Sequence, residues 1–160
     1  MQSTNDTLAE RRRTLRTPTF RELSHEECLD VLRRNHYGRI AFTLHDRVDV
    51  EPVHYVLDGQ WIYIRTSQGT KVTTIRHGPW VAFEVDEVHG PFEWTSVVAK
   101  GTVYFISGVR TADDPAAYTH AVEVLRRLMP DALTPNDPVP SRSVLLRISL
   151  NEVHGRASQP

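Results

Sequence analysis

The stretch from Arg39 to Thr66, "RIAFTLHDRVDVEPVHYVLDGQWIYIRT", leaves a chain like this little freedom. Ile40, Phe42 and Leu44 alternate with Arg39, Ala41 and Thr43, the period-two pattern of a half-buried strand. A polar turn around His45 to Arg47 leads into a second strand, "VDVEPVHYVL". Asp58-Gly59 predicts a tight hairpin, because glycine reaches the positive φ that such turns demand. "QWIYIRT" is then the return strand, with Trp61, Tyr63 and Arg65 on one face and Ile62, Ile64 and Thr66 on the other. Pro52 has no amide to donate to a ladder, so it marks an edge, a bulge or a bend. Strands joined by turns this short lie antiparallel.

Other segments extend the pattern. "WVAFEVDEV", "TSVVAKGTVYFI" and "RSVLLRISLNEVHG" read as further strands. Gly101 inside the second of these predicts a bulge or a close approach by another part of the chain. Helix signals flank the strands. Ser24 and Glu27 have the spacing of a capping box, Cys28, Val31 and Leu32 share an inward stripe, and Arg33 and Arg34 suit the helix C-terminus before Gly38. In "DDPAAYTHAVEVLRRLMP", Asp114 is the predicted cap, Pro115 the first helical residue and Pro130 the stop. One helix, about five strands, a second helix and a last strand predict a mainly-β fold. Its antiparallel sheet curls into a barrel, which removes exposed edges.

Composition narrows the function. A length of 160 residues fits one domain, and 19 basic against 20 acidic residues argue against a generic nucleic-acid binder. The near-neutral charge and the lack of basic-aromatic strands also weigh against an oligonucleotide-binding barrel. The single cysteine, Cys28, forms no intrachain disulfide, which points to a reducing cytoplasm. No apolar run is long enough to span a membrane. Residues 1–20, "MQSTNDTLAERRRTLRTPTF", read as a flexible basic arm, residues 21–156 as the domain and 157–160 as a short tail. The eight histidines lack paired metal-ligand spacing, so no metal site is predicted.

Chemistry concentrates after the hairpin, in "RTSQGTKVTTIRH". A strand ends at Thr66, a Gly-containing loop turns, and a short helix begins whose first amides lack partners. Thr66, Ser67 and Thr70 bring hydroxyls, and Arg65 and Lys71 bring charge. Hydrogen bonds to an ionised phosphate contribute about 1.5–3 kcal/mol each, so three or four would dominate the binding of a monophosphate. The spacing of a P-loop is absent, which excludes a nucleotide triphosphatase of that type. Taken alone, the segment favours a plain surface loop with a solvated lysine. Its neighbours in sequence shift the balance. His54 and Tyr55 sit mid-strand, and Trp94, Thr95 and Ser96 sit at a strand mouth, where a plain core strand needs neither polar nor aromatic groups. A flat aromatic ligand needs apolar surface at its face and polar groups at its edge.

"YGRIAFTLHDRVDVEPVHYVLDGQWIYIRTSQGTKVTTIRHGPWVAFEVDEV", "WTSVVAKGTVYFI" and the closing "EVHGRAS" together resemble the FMN-binding split-barrel superfamily. Within it they are most similar to the pyridoxamine 5′-phosphate oxidase-related, nitroimidazole-resistance-like branch. The resemblance spans residues 21–156 and implies a six-stranded antiparallel split β-barrel. It further implies a homodimer with FMN between the subunits and an oxidoreductase acting on a small molecule. By position, Val53, His54 and Tyr55 would line the flavin ring, while Thr66, Ser67, Thr70 and Lys71 would hold its phosphate. Trp94, Thr95 and Ser96 would lie near the ring or at the mouth of a substrate pocket.

Three departures accompany the resemblance. Thr70-Lys71 replaces the Arg-Lys pair of authentic pyridoxamine phosphate oxidases, and their C-terminal substrate-binding basic residues have no counterpart, which argues against vitamin B6 oxidation. Arg65 occupies the place where the nitroimidazole-resistance branch commonly has a histidine, and adds a cation for the FMN phosphate or an anionic substrate. No catalytic acid or base is assigned. The alternative reading is a non-catalytic module binding flavin, deazaflavin or haem in the same barrel.

Overall fold

The computed structural model describes residues 17–108 and 115–160. Its strands are β1 (Thr19–Glu22), β2 (Tyr37–Leu44), β3 (Arg47–Asp58), β4 (Trp61–Thr66), β5 (Trp80–Gly90), β6 (Glu93–Ile106), β7 (Val144–Ser149) and β8 (Glu152–Gln159). The helices are α1 (His25–Arg34), α2 (Thr70–His77) and α3 (Pro115–Arg126). No helix among the described residues is long and apolar enough to cross a membrane.

Each predicted hairpin forms for the reason its residues suggest. Between β2 and β3, His45 and Asp46 both have positive φ, 48° and 59°, as a two-residue type I′ turn requires. Between β3 and β4, Asp58 pairs with Trp61, so the loop is Gly59-Gln60, and Gly59 has φ 58°. The capping box of α1 is complete: Ser24 Oγ accepts from the Glu27 amide at 3.2 Å and Glu27 Oε2 from the Ser24 amide at 2.8 Å. The predicted Asp114 cap of α3 lies outside the described residues.

All strands join one antiparallel sheet in the order β1-β8-β6-β5-β2-β3-β4-β7, and a further pairing of β6 with β7 closes it. The closed ring contains six strands, β2, β3, β4, β7, β6 and β5, while β8 and β1 extend from the side of β6. This is the six-stranded split barrel. Its interior is filled by Ile40, Phe42, Tyr55, Ile62, Ile64, Phe83, Val97 and Ile148, with Cys28, Val31 and Leu32 of α1 as the lid. A second core lies outside the barrel wall, where Ala121, Val122, Val124 and Leu125 of α3 cover Val56, Tyr63 and Leu145. Both faces of β4 are therefore buried, one by the barrel and one by α3.

The split has a local cause. β6 pairs with β8 from Trp94↔Ser158 to Lys100↔Glu152, and with β7 from Val103↔Ile148 to Ile106↔Leu145. Between these runs the register slips by one residue, and the partner strand breaks at Leu150 and Asn151. "RSVLLRISLNEVHG" is thus two strands, not the single one expected. β7 turns inward to close the ring against β4, and β8 diverges to pair with β1. Gly101 lies under the seam: a Cβ there would stand 1.6 Å from the Ser149 carbonyl oxygen. Of the two readings of this glycine, close approach is the correct one.

The boundaries also shift. Thr19 and Phe20, assigned to the flexible arm, pair with Gln159 and Ser158, assigned to the tail. Both segments belong to the sheet because β8 needs a partner on the edge that β6 leaves free. Residues 1–16 of the arm lie outside the described residues.

Candidate functional site

The end of β4, the following loop and the start of α2 form one wall of a cavity of about 580 Å³. Val53 and His54 of β3 and Tyr37 of β2 form another, and Arg142, just before β7, stands at its side. Seven of the predicted residues therefore meet here: Val53, His54, Arg65, Thr66, Ser67, Thr70 and Lys71. Tyr37, Glu51, Pro52, Gln68, Gly69 and Arg142 complete the lining and were not among the predicted site residues.

The helix start is open. Gly69 occupies the N-cap of α2 and supplies no side-chain hydrogen bond to the first turn. A Cβ at Gly69 would meet nothing within 4 Å, and Gly69, Thr70 and Lys71 all line the cavity, so the start of the helix borders accessible space. Free amides, the positive end of the helix and the hydroxyls of Thr66, Ser67 and Thr70 make a donor set for an anion. Lys71 Nζ lies 2.7 Å from Glu51 Oε2, with the lysine side chain only 12% exposed. The carboxylate currently satisfies the lysine, and an incoming phosphate must compete with it.

Arg65 differs from the expectation. Its guanidinium is buried and gripped by Asp137, with Nη1 to Oδ2 at 2.8 Å and Nη2 to Oδ1 at 3.0 Å. Nη2 also donates to the Val139 carbonyl at 2.7 Å. Arg65 therefore borders the cavity, but its charge is already neutralised by a carboxylate 72 residues away in sequence. Its Nε is buried without a hydrogen-bond partner. The Arg65 guanidinium holds the Asp137 carboxyl well below the usual carboxylate range; burial opposes this, and the Leu133 and Val139 amides add to it.

A pH dependence follows. An unfolded aspartate titrates near 3.9, so the native preference for the charged form contributes fully above about pH 4 and is lost as pH falls below that value. Thermal melts between pH 3 and 7 are expected to show a steeper acid decline for the wild type than for Asp137→Asn. Equal slopes would mean that Asp137 carries no such linkage.

Two predicted groups do not join the cavity. Tyr55 is fully buried, donates from its hydroxyl to the Leu32 carbonyl at 2.8 Å, and packs edge-on against Phe83. Strand alternation explains this: if His54 faces outward, Tyr55 must face the core. Burial pushes its phenol well above the ordinary tyrosine range. Trp94 and Ser96 line a separate cavity of about 450 Å³, formed with Glu22, Leu23, Val98, Val153, His154 and Arg156. Thr95, pointing the other way along β6, lines neither cavity.

The fold has counterparts. An FAD-binding protein from Mesorhizobium loti is similar at 27% identity and a TM-score of 0.70, over 89% of this chain and 99% of its own. A conserved protein of unknown function from Corynebacterium diphtheriae is similar at 29% identity and a TM-score of 0.62, covering 86% and 97%. An FAD-binding protein from Mycobacterium smegmatis shares the fold at 23% identity and a TM-score of 0.64, covering 86% and 98%. No curated protein matches the chain in sequence. The family comparison matches residues 24–157, from the N-cap of α1 through the barrel and the loop before α2 into β8, and on that span this chain belongs to the pyridoxamine 5′-phosphate oxidase family.

Proposed function

We propose that this protein binds FMN in the cavity beside α2 and, as a homodimer, uses it to oxidise or reduce a small molecule. The observation that carries this reading is the convergence of Thr66, Ser67, Thr70, Lys71 and the uncapped amides of α2 on one cavity. These donors fit a phosphate ester. Val53, His54 and Tyr37 supply the apolar and edge surface that a flat ring system needs, and His54 and Tyr37 lie 5.2 Å apart between ring centroids. A bound flavin supplies the electron transfer; the protein binds it, orients it and shields it from water. No side chain in the cavity is assigned as an acid or base.

Dimerisation is supported by the outer face of β2, β3 and β5. Val48 is 73% exposed, Val50 53% and Trp80 51%, and Ala41 and Ala82 lie between them in the paired strands. Along β3 this face continues through Pro52 to His54 at the cavity. A second copy covering it would also cover the ligand, as a shared site requires. Cys28, free and buried, supports a reducing, cytoplasmic setting.

FAD is a second reading, favoured by the FAD-binding protein from Mesorhizobium loti. The test is the visible spectrum of the protein as purified, followed by the mass of what denaturation releases. Flavin absorbance and a released FMN are expected, with turnover of NAD(P)H in the presence of nitro, quinone or azo acceptors. Released FAD would favour the second reading. Colourless protein that takes up no added flavin would overturn both.

A further inference from the structure

Residues 127–143 join α3 to β7 without helix or strand of their own, yet the segment is firmly tied down. Asp137 is its anchor. Besides the paired contacts to Arg65, its carboxylate accepts from the Leu133 amide at 2.7 Å and the Val139 amide at 2.9 Å. Arg126 Nε adds a bond to the Ala132 carbonyl at 3.0 Å. The Val139 carbonyl accepts from two donors, Arg65 Nη2 at 2.7 Å and the Arg142 amide at 3.1 Å. One oxygen therefore connects the buried guanidinium to the backbone of Arg142. The Arg142 side chain is exposed and lines the same cavity as Thr66, Thr70 and Lys71.

We infer that Arg142 is a phosphate-binding residue of this cavity and that Arg65 is its positioning residue, acting through Asp137 and the Val139 carbonyl. This rests on the flavin reading above. Sequence offers Arg65 and Lys71 as the two cations of the loop, but the geometry exchanges one of them. Arg65 is consumed by Asp137 and holds the strap; Arg142, at the strap's end, brings the free charge. The cavity then carries Lys71 and Arg142 against Glu51, a balance suited to a dianionic phosphate ester. Arg65 cannot be replaced by lysine without loss, because only a planar fork reaches both Asp137 oxygens and the Val139 carbonyl together.

The test compares FMN with riboflavin, which lacks the phosphate, by flavin fluorescence titration of the full-length protein. Arg142→Ala is expected to weaken FMN about 10-fold, the low end for a charge-assisted contact at an exposed site, and to leave riboflavin within about twofold. Asp137→Asn should weaken FMN but not riboflavin, and adding Arg142→Ala to it should cost little more, because the strap no longer presents the arginine. Arg142→Lys should restore part of the loss. If Asp137→Asn weakens FMN and riboflavin equally, the strap is merely structural and the positioning role fails. Unchanged FMN affinity in Arg142→Ala, a variant of an exposed residue that leaves the core intact, overturns the binding role while flavin binding stands. Wild-type protein that binds neither compound overturns the flavin reading, and this inference with it.

Discussion

Replacing Gly101 with valine is expected to leave no cooperatively folded barrel. A Cβ at this position falls 1.6 Å from the Ser149 carbonyl oxygen, 2.8 Å from its carbon and 3.1 Å from Asn151 Oδ1. Two of the three are backbone atoms, so no rotamer change relieves the overlap. The seam is also pinned from both sides, by Asn151 amide to Lys100 carbonyl at 3.1 Å and by Thr102 amide to Ser149 Oγ at 3.0 Å. Relief requires pulling β7 and β8 away from β6, which opens the ring. Ordinary overpacking costs about 1–3 kcal/mol. Separating a closing strand belongs with the rare losses above about 4 kcal/mol, a large part of the roughly 5–15 kcal/mol of a typical domain. Far-UV circular dichroism and thermal melts of Gly101→Ala and Gly101→Val test this, with Gly78→Ala as a control whose Cβ meets nothing within 4 Å. A wild-type melting temperature in Gly101→Val would show that the seam does not carry the fold.

The second large effect concerns ligand binding. Lys71→Met is expected to weaken FMN by about 10- to 100-fold, the loss of one charge-assisted contact, while riboflavin changes by less than about twofold. Methionine preserves the length and packing of the largely buried lysine stem, so the comparison isolates the charge. Glu51→Gln should act in the opposite direction. Removing the carboxylate 2.7 Å from Nζ frees the lysine, and FMN should tighten severalfold with riboflavin again unchanged. The two substitutions read the same ion pair from its two ends. A Lys71→Met protein that binds FMN as well as the wild type would move the phosphate elsewhere in the cavity.

What local chemistry dictates was legible in the chain. The capping box of α1, the β2–β3 and β3–β4 hairpins and the loop from Thr66 to Lys71 each depend on residues within a few positions of one another. Their propensities act directly on the backbone they form. Alternation also specifies which side of β3 each residue faces. His54 and Tyr55 are adjacent on a strand, so their side chains point to opposite faces, and the apolar series Val53, Tyr55 and Leu57 already places Tyr55 inward.

The remaining features depend on long-range pairing. Nothing near Arg65 announces that Asp137 will claim it, and nothing in the Pro-rich run before β7 marks Arg142 as part of a site built on β4 and α2. Trp94 and Ser96 look as plausible as His54 from sequence, yet the one-residue slip over Gly101 carries β8 away from the ring and puts them against a different cavity. Local sequence specified β2 to β6, their tight turns and the donors of the loop, because periodicity and turn chemistry are local, whereas β1 and the break between β7 and β8 follow from pairing partners far along the chain. Only the tertiary structure decided which cation remains free to meet a ligand, because that depends on which buried carboxylate each arginine or lysine finds when the barrel closes.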